Sequence, residues 1–260
     1  MKIAILGAGA FGTALGGVLA GNGYDIDYYD ARIEKERLSD VVSGAKYILI
    51  AIPSTAISYV LPHLPKNIPL IIATKGILSS RIFDDFNDYM VLSGPGFADD
   101  IKAHKKTFLT STDTRINELF RAEYIKFDST NDKDGVLMCG ALKNVYAIYA
   151  GMLGLKRESS EWNKYIKDAS NEMREILSLN GASRDTVDLV CGVGDLKLTC
   201  GYPSRNYEFG DRLRLDSKYR PEKTVEGAST IRRIRRGEIE VPKDADILRK
   251  IIEISKSWDF

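Results

Sequence analysis

The sequence predicts an α/β domain built on a mostly parallel sheet, over residues 1–128, followed by an all-α domain over 129–260. Three observations carry this. Short continuous apolar runs alternate with helical patterns up to residue 128, no strand pattern follows, and a glycine-rich turn separates the first run from the first helix. Continuous apolar strands belong to sheets covered on both faces, and alternation with helices supplies the cover.

KIAIL (2–6) is the first apolar strand, and GTALGGVLAGN (12–22) has the small and apolar residues of a helix packed close to a sheet. DIDYY (25–29) is a second strand, ERLSDVVSG (36–44) a helix and YILIAI (47–52) a third strand. TAISYVLPHL is helical, PLIIA (69–73) a strand, RIFDDFND helical and YMVLS (89–93) a strand. KKTFLTST (105–112) and YIKFD (124–128) complete the strands, with a helix over 115–123 between them. Beyond residue 128 the 3.6-residue pattern predicts helices over 136–153, 162–180, 205–215, 227–236 and 245–256.

With 260 residues, 44% of them hydrophobic, the chain can bury a substantial core in two domains. Its 37 basic and 36 acidic residues leave a net charge of +1, which excludes the electrostatic footprint of a nucleic-acid binder. Basic runs such as IRRIRRGEIE sit beside acids and read as solvated helix faces. Cys139, Cys191 and Cys200 have no paired spacing, which predicts reduced thiols in the cytoplasm. The two histidines, His63 and His104, lack metal-ligand spacing, so proton chemistry must use another group and no metal is expected. The apolar start breaks into glycines too early for a signal peptide. The 136–153 segment has the length of a membrane span, but Lys143 and Asn144 at its centre predict a buried core helix instead.

GAGAFG matches G-x-G-x-x-G with Gly7, Gly9 and Gly12, enclosing Ala10 and Phe11. Its place between a strand and a helix predicts a Rossmann-like dinucleotide site. Gly7 permits the turn, Gly9 lets backbone approach a pyrophosphate, Gly12 allows close helix–strand packing, and the helix N-terminus favours the anion. Asp30 ends the second strand, where a carboxylate accepts from an adenosine ribose and repels a 2′-phosphate. NADH is therefore expected to be preferred over NADPH, with Arg32 available to a 2′-phosphate or to the adenine face.

In open α/β sheets ligands sit beyond the carboxyl ends of the strands. AIPS (51–54), ATKG (73–76) and SGPGFA (93–98) all follow strands, placing Lys75, Gly94 and Ala98 on that edge. In the helical half, CGVGDLKLTC sets glycines around Asp195, and PSRNYEFG offers Ser204 as an N-cap with Arg205 and Asn206 in the first turn. A helix N-terminus with an arginine is a good oxyanion receptor. Asp195 is open to a simpler reading as a helix cap, and Arg205 as a solvated charge.

The segments GAGAFGTAL, ATKG, SGPGFA, GALKNVYAIYAG, GVGDLKLTC, SRNYEFG and TVEG occur in an order, spanning nearly the whole chain, that resembles the bacterial type of NAD(P)-dependent glycerol-3-phosphate dehydrogenase. The resemblance implies reversible hydride transfer between NAD(P)H and dihydroxyacetone phosphate, giving sn-glycerol 3-phosphate for phospholipid precursor supply. It implies that Lys143 is the catalytic lysine, with Lys75 and Asp195 beside it. Substrate contacts would come from Lys75, Gly94, Lys143, Asp195, Ser204, Arg205 and Asn206. Cofactor contacts would include Ala10, Phe11, Lys75, Ala98, Arg205, Thr224 and Glu226. Ketone reduction needs a proton on oxygen, and a cationic acid beside the carbonyl supplies it. An apolar helix and a neighbouring Lys75 would make Lys143 a better acid, Asp195 would oppose this while orienting it, and loss of a poorly solvated Lys143 charge should leave the fold no less stable.

The chain departs from the family pattern at Gly96, where a hydroxyl residue is usual, and after the catalytic helix, where an expected arginine aligns with Asp168 or a neighbour. It is also shorter between the second and third strands. Other readings are a related two-domain reductase for another keto substrate and a non-catalytic dinucleotide-binding sensor. The expected partners are a small phosphorylated substrate and a second copy of the chain in a homodimer, without nucleic acid or stable membrane insertion.

Overall fold

Isoleucine, leucine and tyrosine fill the predicted strands, and such side chains suit a pleated surface buried on both sides. The structure, a computed structural model, describes residues 1–32, 37–221 and 224–258. The chain divides into two compact units, Met1–Lys75 with Ser80–Lys133, and Gly76–Ser79 with Asp134–Phe260. The predicted boundary at 128 falls inside the last strand, which runs to Ser129.

The first unit contains β1 (Lys2–Leu6), α1 (Ala10–Gly21), β2 (Asp25–Tyr29), α2 (Leu38–Val42), β3 (Tyr47–Ile50) and α3 (Ser54–Val60). It continues with β4 (Leu70–Ile72), β5 (Tyr89–Ser93), α4 (Ala98–Lys102), β6 (Thr107–Ser111), α5 (Thr114–Leu119) and β7 (Ile125–Ser129). The strands form one sheet in the order β2-β1-β3-β4-β5-β6-β7. Every pairing is parallel except β5 with β6, where Ser93 faces Thr110. Ile3, Ile5, Leu49, Ile71, Met90, Leu92 and Leu109 pack one face against Leu15, Leu19, Ile101, Ile116 and Phe120. Parallel order brings the carboxyl ends of β1, β3, β4 and β5 to one edge, as the sequence predicts.

Three details differ from the sequence prediction. The helix expected over 36–44 is the shorter α2, and residue 36 lies outside the described residues. RIFDDFND gives only a 3₁₀ turn over Ser80–Phe83, because the following aspartates and asparagine favour local turns over helix. α4 was not predicted, since five residues behind Gly-Pro-Gly carry too little periodicity.

The second unit has no strand among its described residues. Its helices are α6 (Lys133–Met152), α7 (Ser160–Leu179), α8 (Asp195–Thr199), α9 (Arg205–Leu215), α10 (Glu226–Arg235) and α11 (Asp246–Ile254). α6 is buried along nearly its whole length. α9 presses on it so closely that a Cβ on Gly210 would lie 1.9 Å from the Ile148 carbonyl oxygen. Glu172 of α7 ties three helices together: it accepts from the Ile247 and Leu248 amides at the start of α11, at 2.7 and 3.1 Å, and from the Tyr146 hydroxyl of α6 at 3.1 Å. Among the described residues no helix is long and apolar enough to cross a membrane.

Candidate active site

In the first unit the glycine turn is shaped by close approach. Gly7 has φ +109°, and a Cβ there would lie 2.6 Å from the Ala51 carbonyl oxygen at the end of β3. A Cβ on Gly12 would lie 2.0 Å from the Gly7 carbonyl oxygen, so α1 can leave the strand only with glycine at both positions. Gly9 is the N-cap of α1, where no side chain caps the helix, and a Cβ on it would project into open space. Amides at an uncapped N-terminus facing open space fit a pyrophosphate. Exposed Ala10 and half-buried Phe11 open α1.

Asp30 closes on this turn from the end of β2. Its Oδ2 accepts from the Ala8 amide at 3.0 Å, joining β2 to the glycine turn. Arg32 grips the same carboxylate, Nε to Oδ1 at 2.8 Å and a terminal nitrogen to Oδ2 at 2.5 Å. The hydrogen bonds from Arg32 hold the Asp30 carboxyl well below the usual carboxylate range. The Asp30 side chain is 7% exposed and that of Arg32 76%. A ribose would therefore meet a carboxylate already shared with a guanidinium.

The other edge residues gather as predicted. Lys75 Nζ donates to the Gly94 carbonyl at 3.1 Å and lies 6.0 Å from the Phe11 ring centre. Phe11 and Ala98 both pack on the sheet core. Thr74 reaches across to the Ile52 carbonyl at 2.8 Å, tying the ends of β4 and β3. Gly96 has an apolar explanation: a Cβ there would point at Leu109, Ile101 and the Thr107 methyl, a poor seat for a hydroxyl residue.

In the second unit the two residues with the plainest signals meet. Lys143 Nζ lies 2.5 Å from Asp195 Oδ1, with side chains 4% and 1% exposed. Lys143 also donates to the Thr199 hydroxyl at 3.1 Å, while Thr199 donates its own proton to the Asp195 carbonyl at 2.6 Å. The surroundings of Lys143 are thus not purely apolar, as its helix implied, but contain a built ion pair. Removing Lys143 alone would take the counter-charge from a buried carboxylate, which argues against the expectation of unimpaired stability. Thr199 was missed by the sequence reading. It stands four residues after Asp195, the spacing that puts both on one face of α8.

A π-turn over Val190–Gly194 delivers Asp195, and such turns concentrate at functional sites. It needs glycine: a Cβ on Gly192 would lie 2.2 Å from the Val187 carbonyl oxygen. The Trp162 indole donates to the Cys200 carbonyl at 2.6 Å and fixes the exit of α8. Burial pushes the Cys200 thiol well above its usual range, so it stays protonated and inert.

Ser204 caps α9 as predicted, accepting from the Tyr207 amide at 3.4 Å. Exposed Arg205 follows, with no ion pair or hydrogen bond of its side chain to the described residues. The Asn206 amide donates to Asn144 Oδ1 at 2.9 Å, which sets the start of α9 beside the residue next to Lys143. Asn206 Oδ1 in turn accepts from the Gly227 amide at 3.0 Å, in the first turn of α10 that Glu226 opens. Thr224 precedes that turn and is exposed. Asp168 does not replace the expected arginine with another site group: it pairs with Lys164 at 2.5 Å on the outer side of α7.

Hydride chemistry requires a dinucleotide site and a proton donor, and a glycine turn suited to a pyrophosphate together with a buried lysine fits the class of nicotinamide-dependent oxidoreductases. Residues 132–257 match the C-terminal family of NAD-dependent glycerol-3-phosphate dehydrogenase. Two relatives named glycerol-3-phosphate dehydrogenase (NAD(P)+) are each 34% identical: that of Leptospira biflexa over 82% of this chain and 79% of its own, and that of Pseudomonas entomophila over 81% and 75%. The crystal structure of glycerol-3-phosphate dehydrogenase from Coxiella burnetii superposes with a TM-score of 0.81 at 25% identity, covering 98% of this chain and 94% of the other. The chain belongs to the NAD(P)-dependent glycerol-3-phosphate dehydrogenase family.

Proposed function

We propose that the chain transfers hydride reversibly between a nicotinamide dinucleotide and dihydroxyacetone phosphate, giving sn-glycerol 3-phosphate as a phospholipid precursor. The observation that carries this most is the buried Lys143–Asp195–Thr199 group. In this assignment the first unit holds the dinucleotide through Gly7, Gly9, Ala10, Phe11, Gly12, Asp30, Lys75 and Ala98, and the family resemblance adds Thr224 and Glu226 to its contacts. The second unit holds the keto phosphate.

The hydride is what the reduced nicotinamide supplies when bound. Lys143 gives its proton to the substrate oxygen as the carbonyl becomes an alkoxide, and takes it back in the reverse direction. Asp195 neutralises and orients the ammonium, and Thr199, whose proton is committed to the Asp195 carbonyl, leaves it a lone pair to hold. Arg205 and the first amides of α9, capped by Ser204, grip the phosphate, away from the reacting carbon. Lys75 and Gly94 add a second cation and a close backbone approach on the substrate. Cys139, Cys191 and Cys200, buried and in no disulfide among the described residues, suit a reducing cytoplasm.

NADH is the preferred cofactor in this assignment. Asp30 presents a carboxylate at the ribose position, and a 2′-phosphate would have to take Arg32 from it. Steady-state reduction of dihydroxyacetone phosphate with NADH and NADPH in parallel tests both parts. The expected result is turnover with a higher kcat/KM for NADH. A higher value for NADPH refutes the preference, and no turnover with either refutes the activity.

A further inference from the structure

Four groups of the second unit form one directed hydrogen-bond chain that the reaction itself does not require. The Gly227 amide donates to Asn206 Oδ1 at 3.0 Å. Asn206 Nδ2 donates to Asn144 Oδ1 at 2.9 Å, and Asn144 Nδ2 donates to the Gly140 carbonyl at 3.1 Å. Both ends are backbone groups of fixed polarity, a donor at Gly227 and an acceptor at Gly140. They leave each carboxamide only one orientation. Asn144 is 4% exposed, so a broken link would leave a buried amide unsatisfied. Packing accompanies the chain: a Cβ on Gly227 would lie 2.5 Å from the Asn144 carbonyl oxygen, so the first turn of α10 lies directly against α6.

We propose that Asn206 is a positioning residue that couples cofactor occupancy at the first turn of α10 to phosphate binding at the first turn of α9. This rests on the proposed contacts of Glu226 with the dinucleotide and of Arg205 with the phosphate. Glu226 precedes Gly227, and Arg205 precedes Asn206. A dinucleotide that orders the start of α10 orders the Gly227 amide, and through the Asn206 side chain it fixes the helix end that carries Arg205. The same chain ends on α6 at Asn144, beside Lys143, so the phosphate grip and the proton donor are set together. The Asn206 side chain acts on the substrate through its neighbours, while its main-chain amide remains part of the α9 N-terminus. Coupling of this kind is reciprocal, so each ligand tightens the other by the same factor.

The test is titration of NADH by fluorescence with and without saturating sn-glycerol 3-phosphate, a pair that binds without reacting. In the wild type, sn-glycerol 3-phosphate is expected to tighten NADH by about fivefold or more. In Asn206→Ala that ratio falls to about one while NADH alone still binds, and in Asn144→Leu, which removes the anchor of the Asn206 carboxamide without changing a residue of α9, it falls part of the way. Should Asn206→Ala not fold, the fall of the ratio in Asn144→Leu carries the test, and a wild-type ratio in that variant overturns the proposal. A ratio retained in the variants, with substrate affinity reduced equally in both series, makes Asn206 a direct ligand and overturns the proposal. A wild type that binds both ligands without mutual effect overturns it too and leaves the dehydrogenase assignment standing. A wild type that takes up neither ligand overturns both.

Discussion

Lys143 and Asp195 are held 2.5 Å apart in a site from which water is almost wholly excluded. Two charges so placed are best satisfied together, because loss of either deprives the other of its buried counter-charge. Lys143→Met is therefore expected to lower stability by about 3–5 kcal/mol, and Lys143→Met/Asp195→Leu to recover most of it. Thermal melting of both variants checks this, and equal melting of the single variant and the wild type would mean the pair adds nothing. Arg205 illustrates the opposite situation, an exposed guanidinium without a partner among the described residues. Arg205→Ala should leave stability within about 0.5 kcal/mol of wild type and raise KM for dihydroxyacetone phosphate. Arg205→Lys should remain impaired, because an ammonium lacks the planar fork that matches a phosphate. Unchanged KM and kcat in Arg205→Ala would remove it from the site. Of these residues, Lys143 was legible as a charge within an apolar run and Arg205 as part of a capped first turn. Asp195 was set beside Lys143 only by the family resemblance, and Thr199 was not legible at all, since a contact from residue 143 to 199 leaves no local pattern.

α8 and the π-turn before it had no helical signature in the sequence, because glycine at 192 and 194 reads as a loop. The reason for the glycine is tertiary: at 192 the Val187 carbonyl occupies the place of a side chain. Gly192→Ala should displace the turn and with it Asp195, reducing kcat for dihydroxyacetone phosphate while NADH still binds. A wild-type kcat would show that the turn tolerates the methyl group and does not set the site. The long helices were legible because their apolar periodicity is sustained, and 205–215 coincides with α9 from end to end. Glu172 shows what periodicity cannot: it caps α11 from α7 and binds Tyr146 of α6. Burial raises the Glu172 pKa above the usual 4.5, outweighing the lowering effect of those donors. The folded protein therefore holds this proton more tightly than the unfolded chain, and the contribution of Glu172 to stability is full at low pH and falls as pH rises through the raised value. Measured as a difference, the melting temperature of Glu172→Gln should gain on wild type as pH climbs from about 4 to 7. A difference that is flat with pH would mean Glu172 titrates alike folded and unfolded.

The two-class architecture was the most legible feature of the whole molecule, because a parallel sheet and a helical bundle impose different hydrophobic periods on long stretches of chain. Strand order was not readable, and neither was the reversal between β5 and β6, which depends on which strands pair rather than on any residue within them. The proposed phosphate grip has a consequence for specificity. If Arg205 and the α9 N-terminus hold the phosphate, binding energy far from the carbonyl is used to place it against Lys143. Dihydroxyacetone without the phosphate should then lose kcat as well as affinity, and equal kcat for the two substrates would argue against this use of the phosphate. The central claim is that Lys143 delivers the proton in reduction of dihydroxyacetone phosphate. The most direct measurement is steady-state NADH oxidation with that substrate by wild type and by Lys143→Met, held below its melting temperature, with NADH affinity measured in both. The account predicts turnover by the wild type and a variant that binds NADH normally but has kcat lower by roughly 10²–10⁴, the range for loss of general acid catalysis. A folded variant with the wild-type kcat, or a wild type that leaves dihydroxyacetone phosphate unreduced, would contradict it.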